Sequence, residues 1–529
     1  MHLKPEQHRW IYLAALAMVA IGLPLSKAMI SIGGITLAAN FLLEGNFKQK
    51  LQSLKSQPTI WLFVAVFVLH GIGLIWTTDF AHGIKDFKIK LPLLFFPMVI
   101  GLSPRIKRTE FLWIAALFSA SVIFTSFFST YKFLQIVDTP DADYRSISLF
   151  TSHIRYGLMV CMAFLILLNC AWNEEKKLWL RITYVAFAAW LGIFIFLLQS
   201  MTGIIVWLIS SYVMLLYTLF HTKNLWIKRI GLSVLIAAPI LTFGYLANQV
   251  KAFYPEEKVD FSRLEKYTAG GEKYGHDTTL LSIENGHYIN LYIADKELRA
   301  SWRKRSDIVY PDGRDANGNF IYTTLIRYMT SKGLRKDSVG LQALSDADIA
   351  AIENGVANVR FIDGNPIDNR IYTVIWEFDK LIYEPNPEGH SVTQRLEFWQ
   401  TGWEILKQNL VFGVGTGDLE IEYKGMYQQL DSNLAQEFQL RAHNQYLSIA
   451  IALGLIGFLV FIASIVLPFF TLKNANTYLY IGFSIILYLS MINEDTLETQ
   501  AGVTLYAFFN SFFLYALRSL SPKDAKAEE

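Results

Sequence analysis

The sequence predicts an all-α polytopic membrane protein of about twelve transmembrane helices, with one large α+β domain in a loop outside the bilayer. Three observations lead there. The 529 residues are 53% hydrophobic and 15% aromatic with only 17% charged, too apolar for an ordinary soluble chain. The apolar residues gather in stretches of the length that a bilayer core about 30 Å thick requires, roughly 20 residues. Between residues 249 and 442 those stretches stop, and the composition becomes that of a soluble domain.

Nine stretches precede the loop, at 10–25, 28–43, 59–76, 90–102, 110–134, 153–171, 179–199, 203–220 and 230–248. Three follow it, at 443–470, 477–492 and 499–517. The expected division is an N-terminal bundle 1–248, a loop domain 249–442, C-terminal helices 443–518 and a tail 519–529. Lys4, His8 and Arg9 precede the first stretch as they would in a signal peptide. No small-residue cleavage site follows and a second apolar stretch comes at once, so the segment reads as an anchor.

Charge orients the bundle. If the spans alternate, one set of short connections holds Lys48, Lys50, Lys55, Arg105, Lys107, Arg108, Lys176, Lys177, Arg181, Lys223, Lys228, Arg229 and Lys473, with Arg518, Lys523 and Lys526 on the tail. The opposite set is acidic at Asp138, Asp141 and Asp143 and again at Glu494, Asp495 and Glu498; its main exception is Lys85, Lys88 and Lys90. Lys and Arg in short loops stay cytoplasmic, so both termini are expected in the cytoplasm and the loop domain outside. The net charge of +2 gives no reason to expect nucleic acid as a partner. Cys161 and Cys170 share one span without metal-ligand spacing around them and read as core residues.

Within the loop, "HYINLYIAD" alternates Ile289, Leu291 and Ile293 with Tyr288, Asn290 and Tyr292, which predicts a strand. "SDADIAAIENG" predicts a short helix between Ser345 and Gly355. Residues 392–409 predict an amphipathic helix with Leu396, Trp399, Trp403, Leu406 and Leu410 on one stripe and Arg395 near its start. The glycine-rich "FGVGTGD" follows a helix and not a strand, which favours a tight turn with close backbones over a nucleotide site. Directly beyond, "RAHNQYLSIAIALGLIGF" places His443 where the chain leaves water for the bilayer, as either a helix cap or a base.

Taken together, "TQRLEFWQTGWEILKQNLVFGVGTGD", "RAHNQYLSIAIALGLIGF" and "NEDTLETQAGV" resemble the C-terminal half of the O-antigen ligase and polymerase superfamily, and "SHIRYGLMV" and "LLQSMTGIIVWLI" resemble its earlier spans. The resemblance implies a multi-pass glycosyltransferase of the bacterial inner membrane, of the helical lipid-phosphate-dependent fold, with its large loop in the periplasm. It implies a donor glycan on undecaprenyl diphosphate and needs no metal and no cofactor. The leading expectation is an O-antigen ligase that joins a polysaccharide to a sugar of the lipid A core. An O-antigen polymerase and a protein O-oligosaccharyltransferase share the donor chemistry. A transporter is the alternative of another class, although no paired halves are visible and ionisable residues are nearly absent deep in the spans.

The chemistry fits those residues. A sugar hydroxyl attacking an anomeric carbon needs a base, and an imidazole with an ordinary pKa near 6.5 accepts a proton at neutral pH. His443 is the expected base and matches the family motif through "HNQYL". Arg395 and Arg155 are the expected diphosphate clamp, because a guanidinium offers a planar fork of donors to phosphate oxygens. Asn444, Arg441, Glu494, Asp495, Glu498 and Ser200 are expected in support. Many relatives carry an arginine directly after that serine, where this chain has Met201.

Overall fold

The computed structural model describes residues 3–136, 144–174, 177–255, 259–383, 391–432, 434–472 and 477–517. The acidic residues Asp138, Asp141 and Asp143, the cations Lys176 and Lys473, and the tail 519–529 lie outside the described residues. The chain forms two compact units: Met1–Leu232 with Phe398–Ser432 and Gln439–Glu529, and Ser233–Glu397 with Asn433–Phe438.

The first unit is a helical bundle of a multi-pass membrane protein. Among the described residues of the whole chain, eight helices are long and apolar enough to cross a bilayer: Pro5–Leu25, Lys27–Glu44, Arg108–Ile136, His153–Trp172, Leu178–Leu197, Met201–His221, Leu225–Phe253 and Gln445–Thr471. A ninth results if Phe47–Lys55 and Pro58–Gly73 count as one bent span. The expectation of about twelve also included Pro92–Leu102, Thr477–Ser490 and Gln500–Ser511, which are apolar but shorter. Their apolarity has a second cause. Every residue from Gly502 to Ser511 is buried inside the bundle, and a protein interior selects the same side chains as lipid does. An aromatic ladder runs through this centre, with Phe96 on Phe508, Phe118 on Phe509 and Phe111 stacked on Phe512 at ring separations of 5.6, 4.8 and 4.5 Å. Such pairs add roughly 0.5–1.5 kcal/mol each beyond area burial.

The Gln445–Thr471 helix is broken at Gly454, whose φ of 65° and ψ of −167° interrupt the turn. A break in a span leaves backbone groups that lipid cannot satisfy. Here the glycine-rich segment supplies the partners: Val414 N donates to Ile451 O, Gly415 N to Ala452 O, and Leu455 N to Leu410 O, at 2.9, 2.9 and 2.8 Å. The approach demands glycine on both sides. A Cβ on Gly413 would lie 2.5 Å from the Ala452 carbonyl carbon, and one on Gly454 would lie 2.2 Å from Val411 O. The close-backbone reading of "FGVGTGD" therefore holds. The same segment is tied to the end of the Pro58–Gly73 helix by Thr416 Oγ1, which donates to His70 O at 2.6 Å, and by the Asp418 carboxylate, which accepts from Thr78 N and Asp79 N.

The second unit is mainly helical around a core of Leu298, Trp302, Ile321, Leu325, Tyr328 and Met329. Its helix Asp346–Glu353 starts at Ser345 in a capping box, with Gly355 beyond it at φ 83°, as the sequence predicts. The predicted strand is reduced to His287–Tyr288, paired antiparallel with Ile283–Glu284. Ile289 and Leu291 do turn inward, but Tyr292 adopts φ 58° and ends the extended run. Glu284, fully buried, accepts from Arg327 Nε at 3.0 Å and Asn358 Nδ2 at 2.8 Å. Arg327 also lies over the Trp376 ring. Paired and hydrogen-bonded in this way, a buried carboxylate is tolerated where an isolated one would not be.

Candidate functional site

The segment 441–448 enters the Gln445–Thr471 helix, and its local geometry separates two roles that the sequence leaves open. Asn444 caps the helix, its Oδ1 accepting from Leu447 N at 3.0 Å. His443, one residue earlier, stands in the left-handed region at φ 46° and is half-buried with its ring 6.0 Å from that of Phe398. The cap is thus the asparagine and not the histidine. Ala442 is held from the other side, its carbonyl accepting from Trp399 Nε1 at 2.9 Å.

Helix Ser391–Gln408, which brings Trp399 there, buries Phe398, Thr401, Gly402, Ile405 and Leu406. The predicted stripe is corrected in part: Leu396, Trp403 and Leu410 are exposed. Small Thr401 and Gly402 permit close packing, and the bulky apolar residues stay outside that contact. Arg395 lies in the first turns of this helix and belongs to the second compact unit.

Around the entrance sits a buried charge network. Glu498, its side chain 7% exposed, accepts from Lys90 Nζ at 2.7 Å and from Gln445 Nε2 at 3.1 Å, with Arg441 Nη1 at 3.9 Å. Asp86 stands 3.9 Å from Lys90. Gln445 Oε1 accepts from Leu497 N at 2.5 Å, and Gln445 N donates to Met491 O, which fastens the 491–498 loop to the start of the helix. Asp495 accepts from Ser448 Oγ at 2.7 Å. Burial pushes the Glu498 carboxyl up, but Lys90 and Arg441 overcome this and hold it well below the usual carboxylate range. Burial, and then the Glu498 charge, push Asp495 up; Arg441 and His443 oppose the shift. Burial, followed by Glu498, raises Asp86 to about 6. Burial lowers Arg441, but Glu498 and Asp495 outweigh it, so its pKa is raised.

The structure therefore gathers His443, Asn444, Arg441, Asp495 and Glu498 at one end of the bundle. Arg155 joins them electrostatically, within reach of Glu494 and Asp495. Ser200 is adjacent but serves the backbone: it is 2% exposed and its Oγ accepts from Gly203 N at 3.2 Å, capping the Met201–His221 helix. The following Thr202 accepts from Asn493 Nδ2 at 3.0 Å, which ties that cap to the acidic loop.

Lys90, Asp86, Gln445 and Ser448 were not expected in the site. The signal for Lys90 was present as the exception to the charge asymmetry of the loops. Lys85 and Lys88 are exposed, whereas Lys90 is fully buried on Glu498. Its charge is neutralised inside the protein and carries no information about topology.

The family model described as O-antigen ligase matches residues 347–462. That span covers helix Ser391–Gln408, the glycine turn, His443 and the break at Gly454. Comparison with curated proteins finds no match. Over residues 347–462, less than half of its length, the chain is thus similar to the O-antigen ligase family.

Proposed function

We propose that this protein is an O-antigen ligase, transferring a polysaccharide from undecaprenyl diphosphate to a sugar hydroxyl of the lipid A core at the periplasmic face of the inner membrane. The observation that carries the reading is the placement of His443, held in the left-handed region before a cap supplied by Asn444 and bordered by Asp495 and Arg441. In the proposed step the acceptor oxygen attacks the anomeric carbon while the bond from that carbon to the diphosphate oxygen breaks. The hydroxyl proton goes to the His443 imidazole, and the diphosphate leaves with the bonding electron pair. A single displacement of this kind inverts the anomeric centre. Arg155 is proposed to hold the diphosphate, whose leaving ability then limits what the protein must supply to one base and cations. Asp495, near the imidazole, stabilises the positive charge that His443 acquires.

The test compares wild type with His443→Ala in cells lacking a chromosomal copy, reading lipopolysaccharide ladders and undecaprenyl-linked glycan together. Loss of capped lipopolysaccharide with accumulation of long lipid-linked polymer is the expected result, a fall of about 10²-fold or more for removal of a base. Loss of long chains with single capped units retained would identify a polymerase. An unchanged ladder would remove His443 from the mechanism. Transfer by purified protein without an ion gradient separates both enzymes from a transporter.

A further inference from the structure

Buried serines of the bundle follow one habit: Ser119, Ser464, Ser490 and Ser511 each donate to a carbonyl three or four residues back in their own helix. That bond is what a hydroxyl in an apolar helix ordinarily makes. Ser484, fully buried on the Thr477–Ser490 helix, has no partner among the described residues. Tyrosines divide in the same way. Tyr156 OH donates to Thr125 Oγ1, Tyr446 OH to Tyr488 O and Tyr515 OH to Thr59 Oγ1, at 2.9, 2.8 and 2.9 Å. Among the described residues, the hydroxyls of Tyr480, Tyr488 and Tyr506 are buried without such a bond, and Asn510 Oδ1 with them.

The unbonded hydroxyls lie together. Tyr480, Ser484 and Tyr488 are spaced four apart, which puts them on one face of their helix. Tyr506 and Asn510 are spaced likewise on Gln500–Ser511, which packs against it. The Tyr480 hydroxyl is within reach of Tyr488 and Ser484, and that of Tyr506 within reach of Tyr488 and of Ser464 from a third helix, Gln445–Thr471. A single buried hydroxyl without a partner is costly, and several side by side compound the cost. Polar groups that face one another inside a protein without bonding are what a bridging molecule joins, and it must both donate and accept in little space.

We propose that these hydroxyls form an internal hydration site, in which water molecules bridge Tyr480, Ser484, Tyr488 and Tyr506 as a fixed part of the bundle. At about three hydrogen bonds for each buried water, roughly two molecules suffice. Because Tyr446 donates to Tyr488 O, the hydrated helix is also fastened to the first turn of the helix that follows His443. The site requires neither His443 nor a glycan donor, so it stands apart from the function proposed above.

The experiment is X-ray radiolytic footprinting of the full-length protein in detergent, read by mass spectrometry, in which radicals formed from bound water oxidise the side chains beside it. Tyr480 and Tyr506 should be oxidised about fivefold faster than Tyr156 and Tyr328, which are equally buried but bonded to Thr125 and Asp348. After rapid mixing into heavy-oxygen water, the oxygen they gain should carry the new isotope later than that gained by exposed Tyr267, since enclosed water exchanges slowly. Tyr506→Phe keeps the ring and removes the hydroxyl; oxidation of Tyr480 should then fall about threefold and the thermal midpoint should drop. Tyr156→Phe should leave the oxidation of Tyr480 unchanged. Oxidation of Tyr480 and Tyr506 at the rate of Tyr156 would overturn the proposal, and that comparison needs only the wild-type protein. So would a higher thermal midpoint in Tyr506→Phe, the result expected of a hydroxyl buried with no partner of any kind.

Discussion

At the residue scale, the central finding is a division of labour between neighbours. Asn444 satisfies the helix and His443 occupies a backbone conformation that few non-glycine residues adopt. Such positions persist where the surrounding structure over-determines them, and they gather at functional sites. The charges nearby are mutually dependent, and Asp86 provides a handle on them. Burial, followed by the Glu498 charge, raises its pKa to about 6. A carboxyl that holds its proton more firmly when folded contributes stability that is complete below its ordinary value of about 3.8. That contribution is lost as pH rises through 6. Thermal midpoints of the wild type in detergent should therefore decline between pH 4 and pH 6 by more than those of Asp86→Asn, which lacks the titration. Equal slopes in the two proteins would show that Asp86 is not held protonated. Of this site, His443, Arg441 and the acidic loop were legible as residue types at a membrane entrance, whereas Gln445 and Ser448 look in sequence like ordinary members of an apolar helix.

At the element scale, the broken helix and the glycine turn form one structure. Each supplies what the other lacks: the helix has carbonyls with no partner in the next turn, and the turn has N–H groups to donate. Gly454→Ala places a Cβ against Val411 O in a backbone region that costs a non-glycine residue roughly 1–3 kcal/mol even without the clash. A lower thermal midpoint and reduced yield of folded protein are expected. Gly244→Ala, in a helix with nothing within 4 Å of the added Cβ, should leave both unchanged or slightly improved. The sequence shows the glycines and their close spacing. It does not show that the partner of the turn is a break forty residues further on, because Gly454 in "IALGLIGF" is indistinguishable from a packing glycine in a continuous span.

At the scale of the whole molecule, the topology is the open prediction. Reporter fusions at both termini should be active only in the cytoplasm, and a reporter inserted in the exposed 316–319 turn should be active only in the periplasm. A periplasmic terminus would reverse the side assigned to His443 and with it the proposed donor. By itself the sequence determined the class: runs of apolar residues near span length, interrupted once by a soluble segment, can bury their surface only in a bilayer or against one another. It also determined the position of His443 at an entrance and the capped helix after Ser345, since both rest on neighbours within a few residues. Only the tertiary structure decided which apolar stretches are interior helices, because lipid and protein core select the same residues. The pairing of Lys90 with Glu498, more than four hundred residues away, and the meeting of Tyr480 with Tyr506 depend on how distant segments pack. An ion pair is written in distance and burial, and neither is a property of a residue's place in the chain.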